Sequence, residues 1–383
     1  MILNRLRIDH LRNHGHTEIE CPEGTLLLLG ENGAGKTTVL EAVSFLCSSR
    51  SFVSHQDKGL VRKGADFFRL EGRFTSAGGT RHDVSVAYAM EQGRKQIELD
   101  NTALAAASDL IGQFPIVALS PQHRPITSGG PGERRSFVDF IISQVHHSYL
   151  EDLIAYRRTL RQRNALLSDI ERRPEDIRST LEAWDASLAA AAVRIMRRRE
   201  AFIEEFIPYF QRAMQGVIGD LEEVTLQYRA TAEIAATAAD ATAADATASY
   251  RALLARRFQT DLRRGSTTIG PHRDDVDILL NGLDVRAQAS QGQHKTVLIA
   301  LKLAEHRYLD TYLDEPPILL LDDVFSELDD DRLARVLQLV DGVGQTFITT
   351  ANAATLQHFA HARSENLTLR ISGGEVSHMA EVA

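Results

Sequence analysis

The run Gly30-Glu31-Asn32-Gly33-Ala34-Gly35-Lys36-Thr37-Thr38 lies between the apolar segment Leu26 to Leu29 and the helix-forming Val39-Leu40-Glu41-Ala42-Val43. Buried strand, glycine loop and helix in that order commit the chain to an α/β core. They also define a phosphate-binding loop: glycines let backbone N–H groups curl around an anion, and the helix N-terminus adds its dipole. In such a loop Lys36 reaches the outer phosphates of a nucleotide and the Thr37 hydroxyl holds Mg²⁺. An ordinary glycine-rich turn before a helix would not need the Lys-Thr pair at this spacing. The loop by itself says nucleotide, not what the nucleotide is for.

With 383 residues, 43% hydrophobic and 25% charged, the chain is long enough for two domains with their own cores. It has no run of about 18 uninterrupted apolar residues and no charged-then-apolar leader pattern, so a cytoplasmic location is expected. Its only cysteines, Cys21 and Cys47, exclude a four-thiolate zinc site and argue against a disulfide scaffold. A formal net charge of −9 does not advertise nucleic-acid binding, which would have to come from a local basic patch.

Residues 2–9 and 16–20 alternate as strands leading into the strand at 25–29. The helix after the loop is predicted to end near Ser48, and residues 49–65 then carry Arg50, His55, Lys58, Arg62 and Lys63 among few acids. Such a segment is either a solvated loop or a surface facing DNA or nucleotide. Alternation returns at 67–75, 82–90 and 94–99, the last two joined by Glu91-Gln92-Gly93, and predicts an antiparallel sheet. A short buried strand from Ile116 to Leu119 ends at Ser120-Pro121-Gln122.

A loop rich in Pro and Gly follows, and Glu133-Arg134-Arg135 opens a helical region reaching to about Gln215, with Leu150, Leu153 and Ile154, then Leu181, Trp184 and Leu188, at helical spacing. Pro174 interrupts it and Pro208 falls near its end, which predicts a helix hairpin with an additional kink or break. No heptad pattern persists for the roughly three to four heptads that a coiled-coil arm needs. The Ala/Thr/Asp-rich stretch 230–248 is expected to be a surface loop or short helix without a chemical role. A helix at about 249–262 and the turn after it hold Arg251, Arg256, Arg257, Arg263 and Arg264. These, like Arg197-Arg198-Arg199, suit a phosphate-backbone path or a solvated face equally well. Strand character returns from Gly265, with Asn281-Gly282 as the strongest hairpin signal in the chain. The expected organisation is a nucleotide domain in two parts, 1–120 and 265–383, with a mostly helical lobe at 121–264 inserted between them.

Pro317-Ile318-Leu319-Leu320-Leu321-Asp322-Asp323 is a buried strand ending in two carboxylates, the second half of a P-loop NTPase site. Asp322 would hold Mg²⁺ through its water shell, and Asp323 is placed to polarise the attacking water. Before it, Ala289-Ser290-Gln291-Gly292-Gln293-His294-Lys295 precedes an amphipathic helix. Ser-x-Gly-Gln at a helix start is a further anion site, with Ser290 as cap and Gly292 allowing close approach. The phosphate loop already fills that role once. The second helix start is therefore expected to reach a nucleotide held by another copy, so that a homodimer closes over two nucleotides.

With Ser326-Glu327-Leu328-Asp329 added, this set resembles the ABC-type ATPase heads of the SMC family. The fold it implies is an α/β ABC/SMC-type P-loop ATPase head with an inserted helical lobe. Ser120-Pro121, Arg134-Arg135, Gly270-Pro271-His272-Arg273-Asp274-Asp275 and Leu321 to Asp329 make the chain most similar to the bacterial RecF recombination mediators, over a span from the first strand to beyond Thr349. The resemblance implies ATP and Mg²⁺ as cofactors, with Gly30 to Thr38, Ser290, Gln291, Gly292, Gln293 and Gln122 around the nucleotide. Gln122 sits where a Q-loop residue stands, or is only a polar residue after a Ser-Pro turn. The resemblance further implies a DNA-stimulated ATPase with Lys36 and Asp323 as catalytic groups and Thr37 and Asp322 on the metal. ATP-dependent dimerisation on duplex, gapped or junction DNA is implied too, as is help in loading RecA at single-strand gaps with the partners RecO and RecR. Lys58, Arg62, Lys63, Arg134 and Arg135 are the expected DNA contacts.

Three departures matter. Asp323 stands where ABC ATPases usually carry Glu, so slow hydrolysis is expected. Ala289 replaces a leucine, and Thr350, Ala351 and Asn352 stand where many heads carry a switch His. An ABC transporter subunit or another motor is disfavoured by the wide spacing between loop and signature, by the helical lobe and by the missing His. An architectural DNA clamp with negligible turnover remains open on the strength of Asp323.

Overall fold

The computed structural model describes all residues except 55, 170–173, 220–221, 233–241, 326–327, 352–365 and 379–383. The chain forms two compact units. The first comprises Met1–Pro125, Tyr209–Glu222 and Ser290–Ala383, and the second Ile126–Pro208 and Glu223–Ala289.

At the centre of the first unit, the strand Thr25–Leu29 pairs in parallel with Thr346–Thr350 on one side and Leu367–Ser372 on the other. Ile318–Asp322 and Ile116–Leu119 extend the sheet in parallel, and Glu375–His378 closes the far edge antiparallel. Strands covered on both faces read as continuous apolar runs, and every residue of Ile318–Asp322 and Thr346–Thr350 is buried. The second sheet of this unit is antiparallel in the order His16–Glu20, Ile2–Asp9, Phe67–Thr75, Arg81–Ala89, Arg94–Leu99 and Thr102–Ala103. Its period-two pattern follows from one buried face: Phe68, Leu70 and Phe74 turn inward while Arg69 and Arg73 turn out. Helix Lys36–Ser48 touches strands of both sheets and is buried at every position but Thr37. Gly72 makes the close approach possible, since a Cβ there would stand 2.8 Å from Leu46 Cδ1.

In the second unit, the helices Pro131–Val145, His147–Leu167 and Ala243–Arg264 accompany a small antiparallel sheet of Leu283–Asp284, Asp275–Leu280 and Val224–Arg229. Asn281 and Gly282, at φ 52° and 78°, form the predicted hairpin turn. The strand Val224–Arg229 is not predicted above, although Val224 and Leu226 alternate inward. Its ladder with Asp275–Leu280 ties residues 265–289 to the second unit, whereas the sequence assigns them to the nucleotide domain.

Two further differences concern helices. Pro174–Ile218 is one element of 45 residues with Pro208 inside it. Phe206, Phe210, Met214 and Val217 on its apolar stripe are buried, and that burial outweighs the backbone hydrogen bond a proline forfeits. Ala243–Arg264 starts earlier than predicted because Thr242 caps it, its hydroxyl accepting from the Asp245 N–H. Most of the Ala/Thr/Asp-rich stretch before it, 233–241, lies outside the described residues. Among the described residues no helix is long and apolar enough to cross a membrane.

Candidate functional site: a phosphate loop facing two carboxylates

The strand Thr25–Leu29 passes through the glycine loop directly into helix Lys36–Ser48. Gly35 has a φ of 116°, and a Cβ there would come within 2.6 Å of His14 Nε2, so both backbone and neighbour demand glycine. Side chains take up the loop's carbonyls. Lys36 Nζ donates to Gly30 O at 2.7 Å and to Glu31 O at 2.9 Å, Asn13 Nδ2 donates to Ala34 O at 2.9 Å, and His14 Nε2 lies 3.0 Å from Gly35 O. The amides of Lys36 and Thr37 open the helix and have no intrahelical acceptor. A cradle of N–H groups at the positive end of a helix dipole remains, which suits a phosphate. Burial lowers the pKa of the Lys36 ammonium against the pull of Asp323 and Asp322.

Asp322 meets this loop from the neighbouring part of the sheet. Its Oδ1 accepts from Thr37 Oγ1 and from Thr349 Oγ1, each at 2.8 Å. Burial raises the Asp322 pKa, the two hydroxyls oppose that, and Asp323 raises it further. Asp323 follows at a φ of 49°, a left-handed conformation uncommon for a residue with a side chain. Its N–H donates to Thr349 Oγ1 at 3.0 Å, which fixes the turn. Lys36, Thr37, Asp322 and Asp323 together line one cavity of about 450 Å³.

Sequence reasoning missed several groups here. Thr349 braces the Asp322 carboxylate and the Asp323 backbone, Asn13 and His14 hold the loop, and Arg12 lines the cavity while paired with the buried Glu41 at 2.9 Å. The available signals were a polar residue closing the apolar Phe347-Ile348 strand and one carboxylate inside an otherwise apolar helix.

The signature lies elsewhere in the first unit. Ser290 caps helix Gln291–Tyr312 as predicted, its hydroxyl accepting from Gln293 N–H at 3.2 Å while Gln293 Oε1 accepts from Ser290 N–H at 3.0 Å. Ser290, Gln291 and Gly292 are exposed, and none of Ser290 to Gln293 lines the phosphate-loop cavity. Gln122 is exposed on the turn Pro121–His123, and it is Pro121 that reaches the cavity. At the switch position Thr350 is buried and Ala351 exposed. Asn352, Ser326, Glu327 and His55 lie outside the described residues.

The basic residues divide. Lys58, Arg62 and Lys63 are exposed. Arg134 is buried in a bidentate pair with Asp275, at 2.8 and 2.9 Å, and also donates to Gly129 O. Arg135 donates to Asp274 O at 2.6 Å, and Arg199 is buried against Asp139 and Pro271 O. Arg134 and Arg199 are therefore internal braces of the second unit, not DNA contacts. Arg135 is half-buried with them.

The comparisons with known proteins agree with this geometry. Residues 2–369 match the family model described as RecF/RecN/SMC N terminal domain. The DNA replication and repair protein RecF of Salinibacter ruber is 37% identical over 98% of this chain and 91% of its own length. The chain belongs to the RecF family. The RecF of Chloroherpeton thalassium is 38% identical over 97% of this chain and all of its own. Among solved structures, the recombination mediator protein RecF-ATP of the RecFOR pathway is similar with a TM-score of 0.88 and 31% identity, covering 99% of this chain and 97% of that one. An Smc head bound to the C-winged helix domain of ScpA shares the fold, with a TM-score of 0.58 and 14% identity over 100% and 98% of the two chains. The ABC/SMC-type head expected from the sequence is the fold found.

In this RecF-family chain the motif Gly270 to Asp275 is the polar core of the second unit. A Cβ on Gly270 would meet Tyr250 Oη at 2.1 Å. His272 Nδ1 lies 2.6 Å from Tyr156 Oη, and Asp274 accepts from Thr231 N–H and from its hydroxyl.

Proposed function

We propose that this chain is a DNA-binding ATPase that dimerises on ATP and acts in recombinational repair and replication restart, helping to load RecA at single-strand gaps with RecO and RecR. One observation carries this proposal. Lys36, Thr37, Asp322 and Asp323 wall a single cavity, while none of the capped signature Ser290 to Gln293 lines it, and Ser290, Gln291 and Gly292 are exposed. Half of a nucleotide cage is built, and a second copy supplies the other half. The solved RecF-ATP relative supports the choice of nucleotide.

Lys36 would exchange the carbonyls of Gly30 and Glu31 for β- and γ-phosphate oxygens, with the loop amides around them. Thr37 Oγ1 and Asp322 Oδ1 are hard oxygen donors that fit Mg²⁺. Held there, the ion would neutralise phosphate charge. Asp323 would orient the water whose oxygen adds to the γ-phosphorus. The bond from that phosphorus to the bridging oxygen breaks, leaving ADP, hydrogenphosphate and a proton. An aspartate reaches less far than glutamate, so turnover should be slow. Lys58, Arg62 and Lys63 would meet the DNA backbone, and affinity should fall steeply with salt through counterion release.

Sedimentation with ATP, ADP or no nucleotide, with and without DNA, tests dimerisation and coupling together. Lys36→Met should abolish the ATP-dependent dimer, and a variant that still dimerises would sink the phosphate-loop assignment. A clamp with negligible turnover is the second reading, favoured by Asp323 in place of Glu. Single-turnover hydrolysis with and without DNA separates the two.

A further inference from the structure

Helix Ala243–Arg264 of the second unit carries Arg256, Arg257, Arg263 and Arg264, all exposed. It packs inward through Tyr250, Leu254, Phe258 and Asp261, which are buried. At about 100° per residue Arg256 stands in line with Arg263, and Arg257 with Arg264. The outer surface therefore presents two rows of guanidinium groups.

These cations are unopposed. Arg256 and Arg263 donate through Nε to Ala252 O at 3.4 Å and Gln259 O at 3.3 Å, one turn back on their own helix, and none of the four makes an ion pair among the described residues. The acids of the helix are engaged elsewhere: Asp245 accepts from the Thr242 hydroxyl, and Asp261 from Arg163 and the Thr268 hydroxyl. In a chain of net charge −9, such a run of free cations stands out against the whole. The helix dipole stabilises cations in the last turn, which accounts for Arg263 and Arg264. That effect fades within the turn, and Arg256 and Arg257 lie beyond its reach.

The face selects its partner. An anion that meets both pairs must repeat its charge, and Arg256 and Arg263 are about 10.5 Å apart along the axis, close to three phosphate steps of about 3.4 Å on one strand of a duplex. Beside the arginines the exposed residues are Ala252, Ala255 and Gln259. They leave room for a broad rail and offer neither an aromatic ring nor a large apolar side chain. A protein partner needs such an anchor, a single strand needs rings on which its bases stack, and a membrane surface needs an apolar helix face. We propose that helix Ala243–Arg264 is a second DNA-binding surface, which holds the phosphate backbone of a double helix without reading its sequence. It needs no ATP and no second copy, since the four arginines are already exposed in the single chain. It belongs to the second unit, whereas Lys58, Arg62 and Lys63 belong to the first. That the duplex is DNA rests on the repair role proposed above, while its being a double helix rests on the face itself.

The test is fluorescence anisotropy of the full chain with a labelled DNA duplex, without nucleotide, over a series of NaCl concentrations. Log affinity should fall linearly with log salt, each phosphate contact adding about 0.9 to the slope. Arg256→Gln, Arg257→Gln, Arg263→Gln and Arg264→Gln combined should make that slope shallower by about 3 to 4, with the helix kept because Gln and Arg are comparable helix formers. The same four positions changed to Lys should restore the slope, because the contact is one of charge. The preference of the unaltered protein for duplex over single strand is read without any variant. No duplex binding without nucleotide, a single strand held as tightly as the duplex, duplex RNA held more tightly than DNA, an unchanged slope in the Gln variant, or the same loss in the Lys variant overturns the proposal. Sedimentation in ATP keeps the two ideas apart. Duplex binding lost in the Gln variant, with no ATP-dependent dimer of the unaltered protein, would count against the ATP switch alone. An ATP-dependent dimer with an unchanged slope in the Gln variant would count against this surface alone.

Discussion

Thr349 is a small side chain on which much of the site depends. Its hydroxyl donates to Asp322 and accepts from the Asp323 backbone, so one oxygen sets both the metal carboxylate and the turn that displays the next. Thr349→Val keeps the shape and removes that oxygen. Mg²⁺-dependent nucleotide affinity should fall about five- to tenfold, the worth of one hydrogen bond at a buried carboxylate, read by titration with a fluorescent nucleotide. Asp323→Asn should keep ATP binding, slow hydrolysis by about a hundredfold or more and prolong the dimer; normal turnover in that variant would remove Asp323 from its role. Lys36, Thr37, Asp322 and Asp323 were legible in the sequence because phosphate chemistry dictates both residue type and spacing. Thr349, Arg12 and Asn13 were not. A threonine closing a strand, or an Arg-Asn pair in a turn, is common, and only the strand order brings residue 349 beside residue 322.

Helices and strands gave up their positions more readily than their allegiance. Apolar pattern located eight of the twelve described strands of the first unit but not Thr102–Ala103, Thr346–Thr350, Leu367–Ser372 or Glu375–His378, and pattern says nothing of which distant strand will be a neighbour. The strand Val224–Arg229 therefore claims Asp275–Leu280 for the second unit. Charge was similarly legible and burial was not: Arg134 looked like a surface cation and is one half of a buried pair with Asp275. Arg134→Ala should destabilise the protein by about 3–5 kcal/mol, the cost of stranding a buried partner, with any DNA defect scaling with lost stability in denaturant titrations. A DNA defect in a fully stable Arg134 variant would restore the contact role. The exposed start of helix Gln291–Tyr312 makes the opposite prediction. Ser290→Arg should leave ATP binding by the monomer intact and block closure of two copies, so a variant that still sediments as a dimer in ATP would show that the signature does not act across subunits.

Each compact unit also holds a desolvated imidazole, half-buried His272 in the second and buried His306 in the first, and pH dependence should be common to both. Burial takes His272 in the second unit and His306 in the first from the ordinary 6.5 to about 4. The unfolded chain binds these protons below pH 6.5 and the folded chain only near 4. Stability is therefore full above 6.5, falls as pH drops between those values and levels off below, by on the order of 3 kcal/mol for each imidazole. Unfolding midpoints measured from pH 7.5 down to about 3.5 should show this slope, and His272→Gln should flatten part of it. The parallel sheet has a different consequence, one of timing. Strand Thr25–Leu29 carries the phosphate loop, yet its two partners are Thr346–Thr350 and Leu367–Ser372. At about 5–20 residues per second on the ribosome, this apolar strand waits roughly 15–60 s for a neighbour. The antiparallel sheet has all its strands by Ala103, but the nucleotide site closes only when the last fifth or so of the chain has emerged. A translation product that stops short of Thr346 carries the whole phosphate-loop sequence and neither of the strands that flank Thr25–Leu29 in the sheet.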